Sequence, residues 1–197
     1  MVSGGNQLDR RAAVAALLVD RGDLLVVSGL GSSTYDANAA GDTDANFYLW
    51  GAMGAAALIG LGLAQAQPTK RVLVVTGDGE QLMGLGGLAT IAIAAPKNLT
   101  VAVIDNGHFG ETGMQRSHSG LGLDIAAVAA ACGFAKTGVL TDLDQVNEAR
   151  RSFSKPNSGS QLFVIKVRAE NVARSLPPRD AVYLKNRFRA QLGLKPS

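Results

Sequence analysis

Blocks of apolar and polar positions along the chain mark out its elements. Leu8–Val19 sets Ala12, Ala13, Ala15, Ala16, Leu17 and Leu18 beside Asp9, Arg10 and Arg11, the pattern of an amphipathic helix. Leu24–Val27 is a short apolar run, read as a buried strand, and it ends in the turn Ser28-Gly29-Leu30-Gly31-Ser32-Ser33. Tyr35-Asp36-Ala37-Asn38 opens no helical pattern, and Asp36–Asn46 reads as a polar connection. Phe47–Trp50 then leads into a small-residue helix that runs to Ala66. Val72–Thr76 and Thr100–Ile104 are β-branched runs stopped by Gly77 and by Asp105-Asn106-Gly107, and between them Met83–Ala95 has the length of a helix and is closed by Pro96. Asp124–Cys132 and Thr141–Phe153 read as capped helices, Lys155–Ser160 as a loop, Leu162–Val167 as a strand and Ala181–Leu192 as a basic amphipathic helix.

The centre of this pattern is a βαβ unit, and such a crossover lays its two strands parallel. Thr76 and Ile104 therefore end at one edge of a sheet. Asp78 and Asn106, each two residues past a strand end, face one another across the crevice where open α/β sheets bind ligands. The glycines beside them, Gly77, Gly79 and Gly107, let backbone N–H groups come close to a ligand. Oxygen donors alone point to a hard cation such as Mg²⁺ bridged to phosphate oxygens. The plainer alternative is a glycine-rich turn in which Asp78 caps the next helix. The predicted fold is α/β, a three-layer parallel sheet with helices on both faces, forming one domain over residues 1–197. Residues 174–197 are predicted to be a tail that packs on the body or on a partner.

Composition narrows the setting. Apolar residues make up 47% of the chain but aromatics only 5%, with 24 glycines, so the core is built from Ala, Val, Leu and Gly in close helix-on-sheet contact. The net charge is +3, and Arg174, Arg179, Lys185, Arg187 and Arg189 gather near the end. No recognition motif or stacking platform accompanies them, so a solvated helix face or a subunit contact is expected rather than nucleic acid. Cys132 is alone, which excludes an internal disulfide and favours a reducing cytoplasm. MVSGGNQLDRR lacks the apolar centre of a signal peptide, and Gly51–Ala66 falls short of the ~20 residues that span a bilayer, so no membrane partner is expected. The turn after Leu24–Val27 fails as a dinucleotide fingerprint because Thr34 stands at the third glycine position, although Ser28 is placed to touch phosphate. Asp36, Asp42 and Asp44 have a spacing that would suit a metal, but an exposed acidic loop is the expected reading.

Gly77-Asp78-Gly79-Glu80 followed by Asp105-Asn106, with Asp78 and Asn106 twenty-eight positions apart, resembles the metal- and diphosphate-binding signature of thiamine diphosphate enzymes. In decarboxylases of that family a bulky apolar side chain upstream of the metal Asp props the cofactor in a bent conformation. A glycine carbonyl two residues before it accepts the cofactor's exocyclic amine. Met53 lies twenty-five positions before Asp78, and Gly51 two before Met53. The resemblance implies that Asp78, Asn106 and the backbone carbonyl of His108 hold Mg²⁺, and that Gly51 and Met53 serve catalysis by holding the bend. It further implies that thiamine diphosphate lies against Ser28, Gly51, Ala52, Met53, Gly77, Asp78, Gly79 and Glu80. Asn106, His108, Phe109, Gly110 and Glu111 complete the implied binding set, with Glu111 through Gly113 opening the next helix so that N–H groups reach the diphosphate. Gly113–Gly120 is read either as a mobile loop over the substrate, with His118 as a proton shuttle, or as an ordinary surface loop.

FYLWGAMGAAALIGLGLA, GDGEQLMGLGGLATIA and IDNGHFGETGMQ most resemble the sulfopyruvate and phosphonopyruvate decarboxylase group. Such enzymes need a second domain whose Glu contacts the pyrimidine ring. None of Glu80, Glu111, Glu148 and Glu170 lies in a matching setting, and the residues before Gly51 hold one helix and one strand. The implied protein is therefore the β-type subunit of a split enzyme, with an α-type partner that supplies the Glu in an α2β2 or larger assembly. The implied reaction is decarboxylation of a small 2-oxo acid. A carboligase of the acetolactate synthase type and a non-catalytic cofactor-binding protein remain the alternatives. Two residues depart from the pattern: Glu80, where a small hydroxyl residue is common, and Trp50 before the glycine.

Overall fold

In the computed structural model, residues 7–153, 155 and 159–195 are described. The leader reading of residues 1–6 and half of the Lys155–Ser160 loop lie outside them. The strands are β1 (Leu25–Ser28), β2 (Asn46–Tyr48), β3 (Val72–Gly77), β4 (Leu99–Asp105), β5 (His108–Phe109), β6 (Gln115–Arg116), β7 (Lys136–Leu140) and β8 (Gln161–Lys166). Six of them form one parallel sheet in the order β2-β1-β3-β4-β8-β7, while β5 and β6 make a small antiparallel hairpin. Successive side chains of a strand point to opposite faces, so an all-apolar strand must be covered on both. Leu25, Val27, Val72, Val74, Val101 and Val103 pack on one side, and Val26, Leu73, Val75, Ala102 and Ile104 on the other.

The first face is covered by α3 (Ala56–Ala66), α5 (Gly87–Ala94) and α6 (Ile125–Cys132). The second is covered by α1 (Arg10–Leu18), α2 (Ser32–Ala39) and α7 (Leu143–Phe153). The expected three-layer parallel architecture is thus present. α1 is capped by Asp9 and α6 by Asp124, each accepting a backbone N–H from three residues on, at 2.8 and 3.0 Å. Asp142 does the same for α7 at 2.9 Å.

Several expectations are corrected. Ser32–Ala39 is the helix α2, because Asp36 turns inward to Arg10 and Arg11 and so the residue that breaks the apolar pattern is itself buried. Met83–Ala95 is not one helix. A short α4 (Asp78–Met83) begins directly at Asp78, and the chain turns at Gly84–Gly86 before α5. The cause is a close approach: a Cβ on Gly84 would lie 2.0 Å from the Gly54 carbonyl oxygen. Glu111–Gly113 opens no helix, since Gly110–Thr112 is a single 3₁₀ turn between β5 and β6. Gly113–Gly120 is structured as β6 and a second 3₁₀ turn, with Ser117 and Ser119 buried. Lys136–Leu140, given no element from sequence, is the edge strand β7.

After β8 the chain runs back over α1 and α2. The Arg168 N–H donates to the Leu8 carbonyl at 2.9 Å, Arg11 to the Ala173 carbonyl, Asn38 to Ser175 Oγ at 2.7 Å and the Trp50 indole to the Pro178 carbonyl at 2.9 Å. The last helix, α8 (Ala181–Gln191), packs on the chain's own body, with Phe188 against Phe47 at a ring separation of 5.5 Å. Its Arg187 forks onto both Asp42 oxygens at 2.8 Å, so that cation is an internal tie rather than a solvated face. Among the described residues no helix is long and apolar enough to cross a membrane.

Candidate functional site

The register of the sheet sets the site. Gly77 pairs with Ile104, so β3 and β4 end level with one another, and the loops that follow open onto one cavity of about 310 Å³. Met53, Gly77, Asp78, Gly79 and Glu80 line it, and so do Asn106, His108, Phe109, Gly110 and Glu111. The remaining expected residues lie elsewhere. Ser28 is fully buried with its hydroxyl 2.6 Å from Thr34 Oγ1, while Gly51, Ala52 and His118 are exposed and outside the cavity wall.

Asp78 is 3% exposed and has hydroxyl partners in place of a cation. Ser117 Oγ donates to its Oδ2, Ser119 Oγ lies 2.9 Å from the same oxygen, and among the described residues no Lys or Arg pairs with it. Burial pushes the Asp78 carboxyl above its ordinary range; the Ser117 hydroxyl opposes this, and the nearby Asp105 charge adds to it. Asp105 is held by Lys166 and receives the Gly107 N–H at 2.8 Å. The Asn106 side-chain oxygen accepts the His108 N–H at 2.9 Å, and an amide oxygen has a second lone pair to offer. A dication beside Asp78 would remove the penalty that burial and Asp105 impose, so this oxygen donor set fits Mg²⁺. Among the described residues no three His, Cys, Asp or Glu side chains converge on a point. The Asp36, Asp42 and Asp44 alternative dissolves because Asp36 is taken by Arg10 and Arg11, and Asp42 by Arg187.

Glu80 is 4% exposed, and its carboxylate accepts the Thr76 hydroxyl at 2.8 Å. It reaches across to Gly29, where a Cβ would stand 1.6 Å from Oε2. Burial pushes this carboxyl up, against the pull of Thr76 and of backbone N–H groups from Gly54, Leu30 and Ala56. The residue that departs from the family pattern is thus spent largely on joining the β1 loop to β3. Met53 is 45% exposed at the cavity rim, so the site is open on the α3 side. Ala52 before it sits at φ 59°, a left-handed conformation that costs a non-glycine residue about 1 kcal/mol or more.

Sequence reasoning missed Ser117 and Ser119, whose role depends on a fold-back of about forty positions to Asp78. It also missed Arg10, Tyr35 and Trp50 as cavity residues. No local pattern carries such information.

Residues 30–167 match the family model described as thiamine pyrophosphate enzyme, C-terminal TPP binding domain, and the chain belongs to that family of proteins binding thiamine pyrophosphate, which is thiamine diphosphate. Among its relatives, sulfopyruvate decarboxylase of Methanosarcina acetivorans is 35% identical over 188 residues, 94% of this chain and 48% of that one. Phosphonopyruvate decarboxylase of Streptomyces viridochromogenes is 45% identical over 141 residues, 71% of this chain and 35% of that one. The chain thus spans between a third and a half of these two longer relatives. The sulfopyruvate decarboxylase subunit beta of Methanococcus maripaludis is 33% identical over 165 residues, 84% of this chain and 87% of that one. In fold, the chain is similar to benzoylformate decarboxylase from Polynucleobacter necessarius, with a TM-score of 0.69 at 19% identity, over 86% of this chain and 36% of that one.

Proposed function

We propose that this protein is the diphosphate- and Mg²⁺-binding subunit of a split thiamine diphosphate-dependent decarboxylase. Its substrate is a small 2-oxo acid with an anionic tail of the sulfopyruvate or phosphonopyruvate kind. The observation that carries the reading is the convergence of Asp78, Asn106, His108 and Met53 on one cavity at the level ends of two parallel strands. In this reading Asp78, the Asn106 amide oxygen and the His108 carbonyl hold the metal. Ser117 and Ser119 fix the Asp78 carboxylate, and Met53 at the cavity rim would support the cofactor's bend. Thiamine diphosphate, when bound, supplies the carbon that adds to the substrate ketone and the electron sink that lets CO₂ leave.

A partner chain follows from what this one leaves open. Met53 stands half out of the cavity, and the helices on its side of the sheet carry Leu58 on α3, Met83 on α4 and Ile93 on α5 at 41%, 63% and 88% exposure. An α-type subunit that brings the activating Glu would cover that face and close the pocket, in the cytoplasm, where the lone Cys132 stays reduced. The test is reconstitution with the candidate partner, thiamine diphosphate and Mg²⁺, followed by assay of CO₂ release from sulfopyruvate and phosphonopyruvate. The expected result is release that disappears with Asp78→Ala. Release that survives Asp78→Ala, or a product formed only when an aldehyde acceptor is added, would replace the reading.

A further inference from the structure

The cavity crosses the edge of the sheet from one face to the other. Met53 lies three residues before α3, on the face that α3, α5 and α6 cover; Arg10 opens α1, on the opposite face. Both line the same cavity, and Asp78 at the end of β3 stands between the two layers. The one wall thus offers Met53 from the first of these layers, Arg10 from the second and Asp78 at the sheet edge to the same ligand.

Arg10 is built as a receptor at that end. It is 4% exposed, and its Nε donates to Asp36 Oδ2 at 2.6 Å, with Asp36 itself fully buried. Its other two guanidinium nitrogens have no hydrogen-bond partner among the described residues. Leaving a charged fork unpaired in a wall costs free energy unless a ligand completes it. Asp36 does not neutralise the site either, because Arg11 shares it at 2.9 Å, so the cluster of two cations and one anion keeps a net positive charge. Among the described residues Arg10 is also the sole Lys or Arg in the cavity wall, which otherwise carries Asp78, Glu80 and Glu111. Arg174 pairs with Glu111 at 2.8 Å, which leaves Arg10 as the cation facing Asp78 and Glu80 across the cavity wall.

We infer that Arg10, held by Asp36, binds the terminal phosphate of thiamine diphosphate and makes the site select the diphosphate over the monophosphate. This rests on the proposal that the cavity holds that cofactor. Two charge-assisted hydrogen bonds to a phosphate make an Arg a directional reader where a Lys would act only as a point charge.

The test is calorimetric titration of the full chain with Mg²⁺ plus thiamine diphosphate, and separately with Mg²⁺ plus thiamine monophosphate. Wild type is expected to prefer the diphosphate. Arg10→Met is expected to lose about ten- to a hundredfold in affinity for the diphosphate while its affinity for the monophosphate is unchanged. Arg11→Met, which touches the same Asp36 outside the cavity, should keep the wild-type preference. Asp36 retains Arg11 in the Arg10→Met protein, which favours folding; if that variant does not fold, Arg10→Met/Asp36→Asn removes the buried charges together and is read in the same way. Equal loss for both ligands, or no loss for either, would overturn the role of Arg10 and leave the cofactor reading standing. Wild type that binds neither ligand, alone or with the candidate partner present, would overturn both.

Discussion

Ser119 Oγ lies 2.9 Å from Asp78 Oδ2 and 2.8 Å from Asp105 Oδ1, a hydroxyl set between two buried carboxylates, one opening α4 just past β3 and one ending β4. With Ser117 it fixes the orientation of the one carboxylate in the proposed metal set. Groups that orient a metal ligand are worth about 10- to 100-fold in metal affinity. Ser119→Ala should therefore lower Mg²⁺ affinity in the presence of thiamine diphosphate by about tenfold. A Mg²⁺ titration followed by the heat of cofactor binding measures this, and an unchanged midpoint would count against the role.

Gly84→Ala tests the junction that splits α4 from α5. The added Cβ would meet the Gly54 carbonyl oxygen at 2.0 Å, and that partner is backbone, which gives way only if the loop moves. The expected loss of stability is about 2–4 kcal/mol in urea unfolding. Met53 is carried on the same loop, so cofactor affinity should fall as well.

Ala52→Gly works in the opposite direction. The left-handed φ of 59° disfavours a Cβ, and glycine removes that cost while adding freedom to the unfolded chain. The net gain expected from urea unfolding is about 0.5–1 kcal/mol. A less stable variant would show that the Ala52 methyl makes contacts worth more than the strain.

The Asp42–Arg187 pair sets an acid limit on stability. Burial pushes the Asp42 carboxyl up, but the Arg187 fork and the Tyr48 hydroxyl outweigh it, so the net position is below the ordinary range. A depressed carboxylate contributes stability above its unfolded value, about 3.9, and loses it as the pH falls through its folded value. Asp42 is 35% exposed, so solvent screening reduces the contribution of the pair. Asp42→Asn should cost about 1–2 kcal/mol at neutral pH, with the gap to wild type closing below about pH 4, as thermal unfolding across pH will show.

Ile93→Asp probes the proposed partner face. Ile93 is 88% exposed on α5, so the substitution leaves the core intact. The expected outcome is an unchanged unfolding midpoint with weakened association in sedimentation. Undiminished assembly would move the interface elsewhere.

The part of this architecture that could be read from sequence is the part written in local pattern. Val72–Thr76 and Thr100–Ile104 announce their strands by β-branched runs, and Gly77 and Asp105-Asn106-Gly107 announce where they stop, so the meeting of Asp78 and Asn106 follows from chain geometry. α2 was hidden because its inward face carries Asp36, a charge satisfied only by residues some twenty-five positions away. β7, KTGVL, is an edge strand with mixed exposure and a central glycine, which blunts the strand signal. Arg10 reads as the polar side of an amphipathic helix until the fold shows that side turned toward a cavity. Ser117 and Ser119 look like surface-loop residues until the hairpin of β5 and β6 brings them under Asp78.

Leu8 bridges to Val167 in parallel, and the Arg168 N–H closes on the Leu8 carbonyl at 2.9 Å, so segments from opposite ends of the chain are stitched together just outside the cavity. Arg10 arrives with the first of them, and Arg174, which grips Glu111 at the cavity rim, with the second. During synthesis, then, every residue of the cavity wall, from Arg10 to Thr112, is made before the segment that ties the first of them in place. Cutting the chain between β8 and Arg174 should therefore loosen the Arg10 side of the pocket and weaken hold of the vitamin while most of the sheet still stands.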